Sequence, residues 1–362
     1  MMQGYDLRAL GWDENLKREF EPYRAKGLEA GRVAVEHRGA LVLYTQGGEI
    51  WAELAGALRH RALGRGDLPA VGDWVAARVR PDEGRGTVEA VLSRRTKFSR
   101  NMAGFTTDEQ VLAANVDVTV LVSALDSDLN LRRLERYLTM AWSSGAMPVV
   151  VLTKADLCTD IAAALEEVGS IALGVPVIVT SAVTGEGIDE LSATVRNHKT
   201  AVLLGSSGVG KSTLVNRLVG AERQEVRDIR DDGKGRHTTT RRELVLLDDG
   251  GILIDTPGMR ELQLWDDNDG LDDTFADIKE LAAECRFGDC RHESEPGCAV
   301  LGALEDGSLS QERYAGYKKL ERELHFLHVK QDKRAAAVER RKWRAFSKDY
   351  RARARLSPKL ER

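Results

Sequence analysis

The residues Gly205-Ser206-Ser207-Gly208-Val209-Gly210-Lys211-Ser212 constrain this chain more than any others. An apolar run, Ala201 to Leu204, precedes them, and Thr213-Leu214-Val215-Asn216-Arg217-Leu218 follows. The local order is strand, glycine loop, helix, in the pattern G-x-x-x-x-G-K-[ST]. Glycines without Cβ atoms let backbone N–H groups converge on phosphate oxygens. The helix that follows adds the positive end of its dipole. Lys211 is then expected to reach the outer phosphates, and the Ser212 hydroxyl to bind Mg²⁺. A chance glycine-rich turn is the alternative, and the flanking strand and helix argue against it.

A length of 362 residues suggests two or three domains, and 42% hydrophobic with 30% charged residues is the composition of a soluble globular chain. Net charge is −4 but uneven: from Ser310 onward there are 17 Lys/Arg against 7 Asp/Glu, so that tail carries +10 and the rest −14. A basic tail on an acidic body suits a polyanionic partner, or a solvated helix. The N-terminus lacks a basic flank followed by an apolar core, and no apolar run approaches a membrane span. Four cysteines make no disulfide framework in so long a chain. The expected location is cytoplasmic, with no membrane partner.

Leu7 to Phe20 reads as a short amphipathic helix or extension. From Arg32 the pattern turns to strands: Val33 and Val35, Leu41 to Tyr44, Ile50 to Leu58, Val71 to Val79 and Thr87 to Leu92. Gly47-Gly48 is a hairpin signal. About five short strands in so few residues predict a small OB-fold-like barrel. Arg94, Arg95, Lys97 and Arg100, with Phe98 between them, would suit an RNA backbone and a stacked base, or form a polar exit strand.

After residue 105 the pattern alternates strand and helix. Val116 to Val122, Pro148 to Leu152, Val175 to Val179, Ala201 to Leu204, Leu244 to Leu247 and Ile252 to Ile254 read as strands. Leu131 to Trp142 and Ile161 to Val168 read as helices. This predicts a doubly wound sheet with its ligand at the carboxyl ends of the strands. Beyond residue 267 the signals are helical, over Thr274 to Ala283 and Gln311 to Arg344. The expected domains are 1–103 (extension plus RNA-binding barrel), 104–266 (nucleotide domain) and 267–362 (metal-binding helices with a basic tail).

Three further segments belong with the phosphate loop. Thr153-Lys154-Ala155-Asp156 directly follows a buried strand. The Asp156 carboxylate can accept from guanine N1–H and the 2-amino group together, a donor pair that adenine lacks. The Lys154 stem could lie over the base plane. The amides around Ser181 and Ala182, after the next strand, could face the base carbonyl. Asp255-Thr256-Pro257-Gly258 ends another strand: Asp255 suits water-mediated Mg²⁺ support, and the Gly258 amide could sense a γ-phosphate. Between these lies Asp231 to Thr240, a glycine- and charge-rich loop read as mobile, whose Thr238, Thr239 and Thr240 offer a Mg²⁺ ligand. Each segment alone also reads as an ordinary loop.

Together these segments resemble the five motifs of a regulatory GTPase. Their order is unusual, because the base-reading segments 153–156 and 180–182 precede the phosphate loop. That is a circularly permuted arrangement, compatible with an unchanged site because domain termini often lie close together. The C-terminal segment adds Cys285-x₄-Cys290-x-His292-x₅-Cys298, three thiolates and an imidazole that fit a closed tetrahedral zinc site. Cys158 stands apart as a packed thiol.

The whole chain therefore resembles the small-subunit-dependent ribosomal GTPases of the RsgA family, also called YjeQ or YloQ. Gly235-Arg236-His237-Thr238-Thr239-Thr240 is similar to that family's first switch. The resemblance implies an N-terminal OB-fold barrel, a permuted P-loop GTPase domain and a helical zinc domain. It implies GTP hydrolysis to GDP stimulated by the small ribosomal subunit, a late role in that subunit's assembly, and rRNA contacts through barrel and zinc domain. A monomer is expected.

Two positions depart from common GTPase patterns. Thr153 stands where most have Asn, which braces the phosphate loop, so nucleotide affinity comes into question more than guanine preference. Met259 stands where many have Gln, and a thioether cannot polarise water. His237 is accordingly expected to orient the attacking water, with Ser212 and Thr239 (or Thr238 or Thr240) on Mg²⁺ and Asp255 acting through water. An exposed loop histidine is the plainer reading. Two other functions stay open: a permuted GTPase serving another RNA or a signalling partner, and a nucleotide-dependent RNA-binding module with negligible hydrolysis.

Overall fold

The computed structural model describes residues 4–37, 39–101, 109–126, 129–220, 242–255 and 269–327. Helix α1 (Glu14–Arg24) starts where Asp13 Oδ1 accepts the N–H groups of Asn15 and Leu16, at 2.9 and 2.8 Å. The expected helix from Leu7 begins later, because Gly11 at φ +84° turns the chain and Asp13 sets the cap.

Strands β1 (Glu29–Glu36), β2 (Leu41–Thr45), β3 (Gly48–Leu54), β4 (Trp74–Arg80) and β5 (Arg85–Val91) pair in the order β1-β2-β3-β5-β4, and β4 closes on β1. Only β3 and β5 run parallel. This is the closed five-stranded OB-fold barrel that the sequence predicts. Val33, Leu43, Ile50, Ala52, Val75, Ala77 and Val88 fill it. Strand β3 stops at Leu54 rather than Leu58, and helix α2 (Gly56–Arg61) takes the remainder.

One expectation is corrected here. Residues Lys97–Asn101 (β6) pair with Glu109–Ala114 (β7) in a separate hairpin. Phe98 is 3% exposed and packs in the same core as Leu112, so it has no free face for a base. Arg94 is an interior strut, bound to the fully buried Asp73 at 2.7 Å and to Leu68 O. Lys97 pairs with Glu109 and Arg95 with Asp117. These cations face carboxylates of their own chain: Glu109 across the hairpin, Asp117 shortly after it and Asp73 just before β4.

The central sheet comprises β8 (Val118–Ala124), β9 (Met147–Thr153), β10 (Val177–Val179), β11 (Thr200–Leu204), β12 (Glu243–Leu246) and β13 (Ile252–Asp255) in the order β10-β9-β8-β11-β13-β12. All are parallel except β12. Helices α3 (Leu131–Ser144) and α4 (Ile161–Gly169) cover one face, while α5 (Ile188–Val195) and α6 (Lys211–Val219) cover the other. The unbroken apolar runs follow from this: Leu121, Val150 and Leu152 point to the first face, and Val120, Val122, Val149 and Val151 to the second.

The barrel continues this sheet, since Val35 of β1 pairs with Glu243 of β12, and Arg242 bridges to Glu36 at 2.8 Å. Arg32 of β1 is 1% exposed and donates to Gly72 O, to Asn115 O and, at 2.8 Å, to Thr200 Oγ1. Burial lowers its pKa to about 10, which leaves it charged at neutral pH.

The C-terminal helices are α7 (Asp269–Thr274), α8 (Ala276–Ala283), α9 (Ala299–Asp306) and α10, helical from 311 to 327. Helix α7 crosses α3 so closely that a Cβ on Gly270 would lie 2.5 Å from Thr139 O. Arg313, 6% exposed, donates to Glu135 of α3 at 3.0 Å, to Asp277 at 2.9 Å and to Thr274 O at 2.8 Å. Among the described residues, no helix is long and apolar enough to cross a membrane.

Candidate nucleotide site and metal centre

Parallel strands place their carboxyl ends together, and the sheet order sets β8 between β9 and β11. The chain leaves β8 toward β9 and later returns to β8's other side as β11, so the crevice opens between the base and phosphate segments. Gly205 ends β11 against β8, where a Cβ would lie 2.5 Å from Val122 O. Gly208 and Gly210 have φ of +83° and +96°, conformations that favour glycine. Val209 is buried as the loop's anchor, whereas Ser207, Gly208, Ser212 and Thr213 are exposed, with Ser206 partly so. Lys211 opens α6 and its Nζ reaches back to Gly205 O at 2.7 Å and to Ser206 O.

Thr153, the position that departs from Asn, lies against the loop 205–212. Its Oγ1 donates to Val209 O at 2.6 Å, and Gly210 approaches the same side chain. The threonine thus braces the phosphate loop, the half of the asparagine's work that a single hydroxyl can do. Lys154 adopts φ 60°, and its Nζ meets Asp126 Oδ2 at 2.7 Å. Asp156 is exposed, and Ser181 Oγ donates to its Oδ1 at 2.5 Å. Ser181 is fully buried, so one oxygen of an exposed carboxylate is fixed from below. Arg217 of α6 donates to Ala182 O at 2.5 Å, which ties the segment after β10 to the phosphate-loop helix.

Residues 153–156, 181–182 and 205–213 therefore meet at one end of the sheet. Asp255 closes β13, whose Ile254 pairs with Glu-flanked Leu244 on one side and with Val202 of β11 on the other. His237, Thr238, Thr239, Thr240, Gly258 and Met259 lie outside the described residues, as does the part of the expected helix Gln311 to Arg344 beyond residue 327. Asp126 and Arg217 were not anticipated from the sequence. The available signal for Asp126 was its place just past the end of a buried parallel strand.

In the C-terminal unit, the donor atoms of Cys285, Cys290, His292 and Cys298 lie within 4.8 Å of one another. Cys285 and Cys298 sulfurs are 3.8 Å apart, and His292 Nδ1 is 3.6 and 3.3 Å from them. Tetrahedral zinc with Zn–S of about 2.3 Å and Zn–N of about 2.0 Å needs edges of about 3.8 and 3.5 Å. The cluster could hold such an ion. Cys298 caps α9 by accepting the N–H of Leu301 at 3.4 Å, and Tyr314 O–H donates to His292 O at 3.0 Å. Partial burial, and then the neighbouring thiols, push Cys290 up to about 11; thiol ligands release their protons when a metal ion binds. The carboxylate of Glu295 accepts N–H groups from Arg291, Glu293 and Ser294 and so shapes the loop between ligands.

The model of the RsgA GTPase family matches residues 91–265. A protein of Opitutus terrae named small ribosomal subunit biogenesis GTPase RsgA is 47% identical over 98% of this chain and 100% of its own. The chain belongs to the RsgA GTPase family. The Streptomyces coelicolor relative of the same name is 48% identical over 93% of this chain and 92% of its own. Among solved structures, YjeQ from Thermotoga maritima is similar at 30% identity and a TM-score of 0.62, over 83% of this chain and 98% of that one. YloQ, described as a circularly permuted GTPase, is similar at 26% identity and a TM-score of 0.60, over 84% and 96%. The segments 153–156 and 181–182 precede 205–213 in the chain, and the strand order brings all three to one end of the sheet.

Proposed function

We propose that this chain hydrolyses GTP to GDP and phosphate, stimulated by the small ribosomal subunit, late in that subunit's assembly. The observation that carries the reading is the hydrogen bond from Thr153 to Val209 O, which joins base segment and phosphate loop into one site. Asp156, fixed by Ser181, favours guanine, because adenine would leave the carboxylate without its donor pair. Backbone N–H groups of Gly205 to Thr213 and the Lys211 ammonium hold the phosphates. Hydrolysis needs an in-line water and charge neutralisation rather than a covalent step. Ser212 and Thr239 (or Thr238 or Thr240) would hold Mg²⁺, with Asp255 through water, and the ion would supply charge neutralisation for the phosphates. His237 is proposed to orient the water and the Gly258 amide to meet the γ-phosphate.

The thiolate-rich cluster suits one structural zinc ion, since four protein donors leave no open position. The domain division 1–103, 104–266 and 267–362, a monomeric state and a cytoplasmic location belong to the same proposal. For rRNA, the barrel offers Trp51, 48% exposed and stacked on His37 at 4.8 Å, with Arg85 opposite it across β3 and β5. An exposed aromatic stack beside a cation is the arrangement that single-stranded bases use.

The deciding experiment is GTP turnover with purified small subunits, with large subunits and Lys211→Ala as controls. Stimulation by small subunits alone, lost in Lys211→Ala, is expected. Equal turnover with and without them would leave a nucleotide-binding module, and stimulation by another RNA would move the partner.

A further inference from the structure

We propose that Asp126 is a positioning residue of the base site: it anchors the Lys154 ammonium so that the lysine stem is a fixed apolar wall for the guanine ring. The proposal rests on the reading of residues 153–156 as the base segment. Asp126 belongs to none of the segments that carry the sequence motifs, and it comes from a different strand end.

Its placement is built into the backbone. Strands β8 and β9 are in register up to Ala124 opposite Thr153, and Leu125 N–H then donates to Thr153 O at 2.8 Å. The two chains are therefore tied together at the step before Asp126 and Lys154. Lys154 leaves β9 with φ 60°, which a residue with a Cβ adopts only when its surroundings hold it there. Its Nζ meets Asp126 Oδ2 at 2.7 Å, a charge-assisted distance. The Lys154 and Asp126 side chains are 34% and 27% exposed, so the pair sits at the mouth of the crevice rather than in the core.

The direction of the stem follows. Asp126 draws the ammonium toward β8, the side of the phosphate loop, while Ser181 draws the Asp156 carboxylate toward the segment after β10. The polar edge reader and the apolar stem are held apart on opposite sides of β9. Long lysine side chains otherwise lose considerable rotamer freedom when a ligand orders them. With the ammonium already tethered, that ordering is complete before nucleotide arrives, which is preorganisation of the site. An ordinary surface ion pair would contribute nothing of this kind to ligand affinity.

The test is calorimetric titration of the full chain with GDP and Mg²⁺, for wild type, Asp126→Asn, Lys154→Met and the double variant. Methionine keeps an apolar stem and removes the ammonium. Asp126→Asn is expected to weaken GDP binding about tenfold, the same change is expected to have less than a twofold effect in the Lys154→Met background, and Asp126→Glu is expected to restore most of the affinity. Wild-type affinity in Asp126→Asn overturns the proposal. So does an equal loss in both backgrounds, which would mean that Asp126 acts on the fold and not through Lys154. Asp156→Asn is the check on the base reading itself. Should Asp156→Asn leave GDP affinity and the preference over ADP unchanged, that reading fails and this proposal fails with it.

Discussion

The metal cluster and the nucleotide crevice are built in opposite ways. All four candidate metal ligands come from one 14-residue stretch, 285–298, folded on itself by Glu295 and capped onto α9 by Cys298. The crevice collects Asp126, Thr153, Asp156, Ser181 and Lys211 at or beyond the ends of successive strands, and strand order brings them together. A local site depends on its own ligands and fails when one is lost. A topological site depends on the braces between loops, and each brace accounts for only part of the affinity. The first is closed by protein donors, whereas the second is open to its ligand.

The contrast can be broken most directly at its chemical centres. Lys211→Ala is expected to lower subunit-stimulated turnover by about 10³-fold, on the scale of removing a charge-stabilising group, while the melting temperature barely moves. A comparable loss of stability would mean that the crevice is a folding element after all. Cys290→Ala is expected to take bound zinc from one equivalent to near none by elemental analysis, and to loosen α9 and α10 in hydrogen exchange. Retained zinc would show that three donors suffice and the cluster is not closed.

Smaller effects sharpen the distinction. Thr153→Val leaves Val209 O without its donor, a loss of about 1–3 kcal/mol, expected as roughly tenfold weaker GDP binding with the fold retained. Unchanged affinity would remove the brace from the account. Trp51→Ala is expected to weaken binding to small subunits about fivefold in co-sedimentation, the lower end of the about 1–3 kcal/mol per stacked base, without altering intrinsic turnover. The mildest effect concerns Glu295, whose carboxyl is lowered to about 2 by the N–H groups it accepts from Arg291, Ser294 and Glu293. Because the folded value lies below the ordinary 4.5, its contribution is present above that pH and is lost as pH falls toward about 2. An NMR titration should find that low midpoint, and a midpoint near 4.5 would separate Glu295 from the loop's shape.

Much of this was legible in the sequence for the same physical reason that makes the metal stretch local. The spacing of Cys285, Cys290, His292 and Cys298 states a donor set directly, and the apolar runs of β8 and β9 announce strands covered on both faces. The phosphate loop declares itself because glycine alone suits Gly208 and Gly210. What sequence could not give was pairing at a distance. Phe98 and Arg94 look like an RNA-binding pattern until β7 and Asp73 fold against them. Asp126 is 28 residues from Lys154, and Arg313 lies 178 residues from Glu135. No local pattern marks such partners, since the register of neighbouring elements creates them.

The pairing of β12 has one more consequence. Glu243 stands opposite Asp255 of β13 and opposite Val35 of the barrel on the same rung. The chain segments 221–241 and 256–268 both attach at that rung, one entering at residue 242 and the other leaving at residue 255. A slip of one residue would turn buried Leu244 to the wrong face, so the rung resists sliding. It is a crossbar with three strands, β1, β12 and β13, fastened to it. Barrel and sheet are thereby joined through β12, which has β13 on one edge and β1 on the other.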